Sequence, residues 1–346
     1  MITRFCTLPV VDATLKLSLL DRACIPEGGS AAQALRGTVA LAAQAERLGY
    51  HRFWVAEHHS VPGIAGSAPT VLVAAVASAT SRIRVGTGGV MLPNHRPLVV
   101  AEQFAVLGAL FPGRIDLGLG RSVGFTRGIQ QALGHPLRDA EDFPDQLAEL
   151  LEWLGGGTDR YPGVRAQPAD GLPVPPFVLA LGEGGQVAAE AGLPVVVGGL
   201  QNRSRMITVI DEYRAAFRPS QWRERPYVIV AAPIAVAPTT EQARQILAAE
   251  AWALAHARTQ GTFPPLPSPQ RMVETELTTR QREVFEKAQR GHLYGVEAEV
   301  RDQLDQLVAE TGADEIMVTT AAFDPEQQID SLRRLAELAG LTQPEV

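Results

Sequence analysis

Eight short apolar runs, each followed by a longer stretch of helical spacing, constrain this chain more than any single motif. The runs are residues 15–20, 53–58, 83–92, 114–120, 176–182, 194–199, 227–236 and 315–320. They are rich in Val, Ile and Leu and too short for helices. The stretches between them, such as "AQALRGTVALAAQAERLG" and "EQARQILAAEAWALAHA", carry apolar residues at helical intervals. Strand followed by helix, repeated, implies a parallel sheet with helices outside. Eight such units predict an α/β fold of the (β/α)8 TIM-barrel type, with an open doubly wound sheet as the structural alternative. We read residues 1–346 as one barrel domain. Two segments break the rhythm. Residues 161–176, "YPGVRAQPADGLPVPP", are too proline-rich for a helix. Residues 259–295 form an extended loop/helix insertion after the seventh strand, long enough to be a candidate lid.

Charge and composition narrow the partners. The formal net charge of -7 argues against nucleic acid and anionic membranes. Cys6 and Cys24 are the two cysteines, so no disulfide framework is visible. The first residues carry no signal-peptide pattern, and no run approaches the ~20 apolar residues of a membrane span. A cytoplasmic location is the expectation.

Barrel chemistry sits at the C-terminal strand ends and the loops that follow them. The second run ends in "WVAEHH", residues 54–59. Side chains alternate along a strand, so His58 shares a face with Trp54 and Ala56, and Glu57 shares one with His59. Three adjacent strand residues do not converge on one ion, and the other histidines show no paired ligand spacing, so no metal is assigned. His58 is then either a satisfied polar strand end or a proton donor and acceptor, as an imidazole titrating near neutrality can be. In "VGTGGVMLP", Gly86, Gly88 and Gly89 mark either barrel packing or a bulge that something approaches closely. In "DLGLGRSVGF", Gly118 and Gly120 strip one face of side chains, and Arg121 suits a phosphate or carboxylate. Gly182, Glu183 and Gly184 lead glycine-rich backbone into a short helix, a phosphate-binding arrangement in which Glu183 must turn away.

Along residues 15–322, and most densely over 46–121, the segments "RFWVAEHH", "GSAP", "SRIRVGTGGVMLP", "VAEQ" and "PGRIDLGLGR" resemble the bacterial-luciferase-like flavin monooxygenases. "ETGADEIMVTT" is similar to the final strand of that family. Within it the chain looks most like bacterial members of about this length, some of which tailor aromatic polyketides of the mensacarcin type. The resemblance implies a TIM barrel that takes reduced FMN (FMNH2) as co-substrate, activates O2 at flavin C4a, and hydroxylates, epoxidises or Baeyer–Villiger-oxidises an organic substrate. A scarcity of charge at the strand ends suggests that this substrate is largely apolar. A two-component system of this kind borrows its flavin from a separate NAD(P)H:flavin reductase.

Residue by residue, the resemblance implies that His58 is catalytic and that Gly88 and Gly89, joined by a cis peptide, form a bulge beneath the isoalloxazine. It implies that Gly120 lies beside C4a and that Arg121 holds the phosphate. One departure stands out. The family commonly places serine or a Glu-Ser pair after the run at 176–182, whereas this chain has Ala180 and Leu181, then Gly182, Glu183 and Gly184. No hydroxyl is available there, and a hydrogen bond to a charged group is worth ~1.5–3 kcal/mol. Backbone N–H groups are left to bind the phosphate. Two other functions remain open: hydride transfer with deazaflavin F420 on the same fold, and flavin binding without catalysis. "AEHH" and "GTGGVMLP" favour the monooxygenase over the first, and His58 speaks against the second. The family dimerises through the region of "SAPTVLVAAVASAT", whose apolar surface all round predicts a homodimer with Val76 in the interface.

Overall fold

The apolar runs become parallel strands because helices cover one face of each and the barrel interior covers the other. The structure, a computed structural model, describes residues 15–168, 173–180 and 184–341. The chain runs β1 (Lys16–Asp21), α1 (Ala31–Arg47), β2 (Arg52–Val55), α2 (Pro69–Ser78), β3 (Arg84–Thr87), β4 (Val90–Met91), α3 (Pro97–Leu110) and β5 (Ile115–Gly120). It continues through α4 (Arg127–Leu133), α5 (Phe143–Leu154), β6 (Pro176–Ala180), α6 (Gly184–Glu190), β7 (Val195–Val197), α7 (Arg203–Ala216), β8 (Val228–Ala232) and β9 (Ile234–Val236). It ends with α8 (Thr240–Gln260), α9 (Pro269–Glu274), α10 (Thr279–Gln289), β10 (Leu293–Gly295), α11 (Glu297–Thr311), β11 (Glu315–Val318) and α12 (Pro325–Leu338).

The sheet order is β3-β2-β1-β11-β8-β7-β6-β5, and β3 pairs with β5 to close it. This is the expected (β/α)8 barrel and not an open sheet. Two runs are finer than the sequence pattern suggests. Residues 83–92 split into β3 and β4 around a bulge, and 227–236 split into the barrel strand β8 and β9, which leaves the barrel to pair with β10.

Alternation divides the core in two. Leu17, Phe53, Val85, Leu117, Val178 and Ile316 face the helices. Trp54, Phe177, Val196, Tyr227, Ile229 and Met317 fill the barrel interior. Below that apolar filling, at the N-terminal strand ends, lies a charged floor. Arg52 donates to Asp116 at 2.7 Å and to both Glu315 oxygens at 2.7 and 3.0 Å. Arg84 and the Trp54 indole also donate to Asp116, at 2.5 and 3.1 Å. The Tyr227 hydroxyl reaches Glu315 at 2.8 Å, and Ser18 completes its shell. Both carboxylates are wholly buried, and each is answered several times over.

The insertion after β9 and α8 is fastened in place. Leu266 N–H donates to Ile25 O and Glu27 N–H to Leu266 O, both at 2.8 Å, and Gly63 N–H donates to Phe263 O at 3.0 Å. Arg271 pairs with Glu27 at 3.0 Å. Residues 261–268 are therefore a strap across the loops that follow β1 and β2, while α10 packs on α8. The surface near α2 needs a correction. Val76 is fully buried against the barrel and so is not part of an open face. The exposed apolar side chains here are Val71 on α2 and Val99, Val106 and Leu110 on the adjacent α3.

Candidate active site

β2 delivers "EHH" to the barrel mouth, and neighbouring loops hold it there. Ala56 N–H donates to Asp21 O at 3.1 Å and His58 N–H to Gly66 O at 2.8 Å. The buried Glu57 carboxylate turns toward β4. One oxygen accepts from Nε2 of His59 at 2.7 Å and from Nε2 of His95 at 2.8 Å, and the other accepts from Met91 N–H at 2.9 Å. A carboxylate only accepts, so both rings carry their proton on Nε2. Burial alone would raise the Glu57 carboxyl, but the two histidines and the Met91 N–H outweigh it and hold it at about 2. The same bond raises His59.

Glu57, His59 and His95 also have metal-site chemistry, with donor atoms within 4.8 Å of one another. Their 2.7 and 2.8 Å separations are hydrogen-bond lengths. A tetrahedral ion at about 2.0–2.1 Å from each donor would hold them roughly 3.3 Å apart. At these separations the three side chains act on one another as a hydrogen-bonded brace. His95 was invisible to the spacing argument because it arrives from a different strand. Its signal was its place, four residues past the bulge that ends at Met91.

His58 is the exception at this strand end. Its Nδ1 is shut off from solvent and has no hydrogen-bond partner. Its ring stacks against Phe125, centroids 6.0 Å apart and planes 19° apart. Burial, and then the positive charge of Arg22, push it down to about 4. Arg22 is itself paired with Glu250 of α8 at 2.5 Å. At neutral pH the imidazole is therefore uncharged, with one ring nitrogen left without a partner.

Beside it, β3 reaches β4 through a bulge. Gly86 pairs with Asp116 and Val90 with Leu119, so four steps on one side span three on the other. The Gly88–Gly89 peptide in the bulge is cis, the geometry that the resemblance implies. Gly88 N–H donates to Val55 O at 2.8 Å, and the Thr87 hydroxyl donates to Gly118 O at 2.8 Å. The glycines divide by cause. A Cβ at Gly86 would lie 2.6 Å from Asp116 O and one at Gly118 only 1.9 Å from Thr87 O, so packing accounts for both. A Cβ at Gly120 would meet nothing nearer than Val90 O at 3.9 Å, so that position faces open space. Arg121 follows it, exposed.

Of the residues singled out in the sequence, His58, Gly88, Gly89, Gly120 and Arg121 lie on the adjacent ends of β2, β3 and β5. Gly184 is buried, and a Cβ there would sit 3.1 Å from Ala180 Cβ, so packing accounts for it. Gly182 and Glu183, with Leu181, lie outside the described residues. Sequence reasoning missed His95, Phe125 and the Arg22–Glu250 pair, each brought to the mouth from a separate loop or helix.

Comparison with known proteins adds to this geometry. A family model described as luciferase-like monooxygenase matches residues 15–343. A luciferase-like monooxygenase of Escherichia coli K12 is 38% identical over 324 residues, covering 93% of this chain and 96% of that protein. An N-acetyl-S-alkylcysteine monooxygenase of Bacillus subtilis is 40% identical over 210 residues, 59% of this chain and 62% of its own. The crystal structure of apo-MsnO8 superposes with a TM-score of 0.82 at 32% identity, covering 96% of this chain and 99% of that one.

Proposed function

From the premise that the chain belongs to the luciferase-like monooxygenase family and is a flavin-dependent monooxygenase, we propose that it is the oxygenase component of a two-component system. In this reading it takes reduced FMN from a separate NAD(P)H:flavin reductase and oxygenates a largely apolar organic molecule. One observation carries the reading: the sealed, unpartnered Nδ1 of His58 at the barrel mouth. A buried polar atom without a partner calls for an explanation, and a ligand or reacting group is the one that fits a strand end in a barrel.

The residues present fit a flavin. Gly120 leaves its space open and Arg121 stands exposed beside it, while the cis Gly88–Gly89 bulge, whose Cβ positions are filled by Leu20 and by Gly118 backbone, shapes the strand end next to them. When bound, reduced FMN supplies the electrons that activate O2. The rest falls to this chain. His58 takes up and returns a proton at Nδ1. Arg121 holds the phosphate. The Glu57 brace fixes the bulge through Met91 N–H. The strap at 261–268 closes one side of the mouth against water, which is the lid role we assign to the insertion.

Titration with FMN and with F420, followed by oxygen uptake with enzymatically reduced FMN, tests the reading. Preferential FMN binding with oxygen uptake that depends on it supports the reading. Binding of F420 alone would make the chain a hydride-transfer enzyme instead. We place a homodimer on Val71, Val99, Val106 and Leu110, an exposed apolar group on adjacent helices. Leu110→Glu should halve the mass of the species in solution. An unchanged mass would remove that face from the assembly.

A further inference from the structure

The mouth has one fixed edge and one loose edge. The strap at 261–268 is fixed by backbone bonds to residues 25, 27 and 63. The segment after β5 is built differently. α4 buries none of its residues, and neither does the short turn of helix at Leu137–Asp142. Between Gly124 and Asp142 the side-chain bonds are local: Gln130 to Gly124 O at 2.8 Å, Thr126 to Ile129 N–H at 3.3 Å, and His135 to Asp139 at 3.0 Å. Val123, 4% exposed, anchors the base of the segment. Two residues on is Phe125, 62% exposed, an unusual setting for a phenylalanine. It is nevertheless not idle, because one face of its ring lies over the His58 imidazole at 6.0 Å and 19°.

Two nearly parallel rings, one on a rigid strand end and the other on a loosely held loop, make a slot that opens by moving a single element. A planar conjugated ring needs about 3.5–4.0 Å on each face for contact. Outward movement of the Phe125 loop by about one ring thickness admits such a ring against His58 and leaves it gripped from both sides. A linear aliphatic chain gains no comparable stacking.

We propose that Phe125 is the specificity-determining residue of the mouth, a gate whose ring clamps a planar, apolar portion of the organic substrate against His58. The inference deepens the monooxygenase reading by naming the substrate class, and it rests on His58 lying at the reaction centre. The low affinity of His58 for protons agrees with a ring kept covered until substrate enters.

The test is carbethoxylation of His58 by diethyl pyrocarbonate, read by peptide fragmentation so that His58 and His59 are distinguished. It is run without added flavin, with 2-naphthol as planar probe and decan-1-ol as linear control. In the wild type, labelling of His58 should be slow, and 2-naphthol should slow it further while decan-1-ol should not. Phe125→Ala should speed labelling by more than about twofold and up to about tenfold, the worth of one aromatic pair, and abolish the protection. Phe125→Trp should restore both. The melting temperature should not change, since the side chain is largely exposed. The gate is overturned if Phe125→Ala labels within about twofold of wild type, if 2-naphthol still protects that variant, or if decan-1-ol protects the wild type equally well. Because the labelling needs no flavin, its failure is distinct from a failure of the FMN reading, which the flavin titration decides.

Discussion

The two ends of the barrel both bury charge, and they treat it in opposite ways. At the floor, Asp116 and Glu315 accept from Arg52, Arg84, Trp54, Tyr227 and Ser18. At the mouth, Glu57 is answered as fully, by His59, His95 and Met91 N–H, yet its neighbour His58 is left with a sealed nitrogen and no partner. A closed ionic cluster is a structural device whose removal costs stability. A sealed polar atom without a partner, beside a braced carboxylate, is where we put the reaction. The floor keeps the strands in register. The mouth uses that register to hold a bulge, a bare glycine and an imidazole together.

The largest effect should come from breaking the floor. Arg52→Met leaves two buried carboxylates short of their main cation and should cost about 3–5 kcal/mol, read as a lower urea midpoint. Turnover per folded molecule should stay near wild type. A rate collapse without loss of stability would erase the distinction between the two ends.

Glu57→Gln sharpens the comparison from the mouth side. The amide cannot accept from two imidazoles and a backbone N–H at once, so about 1–3 kcal/mol of stability should go. Flavin affinity should fall with it, because the bulge loses its hold on Met91. Elemental analysis of the wild type should find no bound metal. A stoichiometric ion would turn the brace into a metal centre and overturn its reading as hydrogen bonds.

Much of this was legible in the chain. Eight Val- and Leu-rich runs with helical spacers suffice for the barrel, since a strand covered on both faces has that composition. Strand parity correctly put Glu57 with His59 and separated His58 from both. Gly88–Gly89 and Gly120 were found because glycine inside a strand is rare without a cause. What parity cannot give is convergence from elsewhere. Phe125 and Glu250 reach the mouth from two different elements, and nothing in their local sequence says so; the one cue to His95 was its place just past the bulge. Composition also misjudged α2, where an apolar surface all round hid the fact that Val76 faces inward and Val71 outward.

Acid should weaken the two ends of the mouth in two steps, a smaller effect than either substitution. His58 sits at about 4 against an ordinary 6.5, so its contribution is complete above pH 6.5 and is lost as the pH falls toward 4. Glu57 sits at about 2 against 4.5, so its contribution is complete above pH 4.5 and is lost from there down to about 2. Melting temperature followed from pH 7 to 3 should fall in both windows. His51, also pushed down to about 4 by burial, shares the upper window, so His58→Gln should shrink that window and leave the lower one unchanged. An upper window undiminished in that variant would remove His58 from it.

The central claim is that His58 moves a proton while the groups around it only hold the site. The direct measurement is single turnover of His58→Ala with reduced FMN supplied at saturation, beside an FMN titration of the same protein. Flavin binding should stay close to wild type while turnover falls by about 10²–10⁴-fold, the usual loss on removing a positioned acid or base. Near wild-type turnover in His58→Ala would contradict the account and return this histidine to an ordinary strand end.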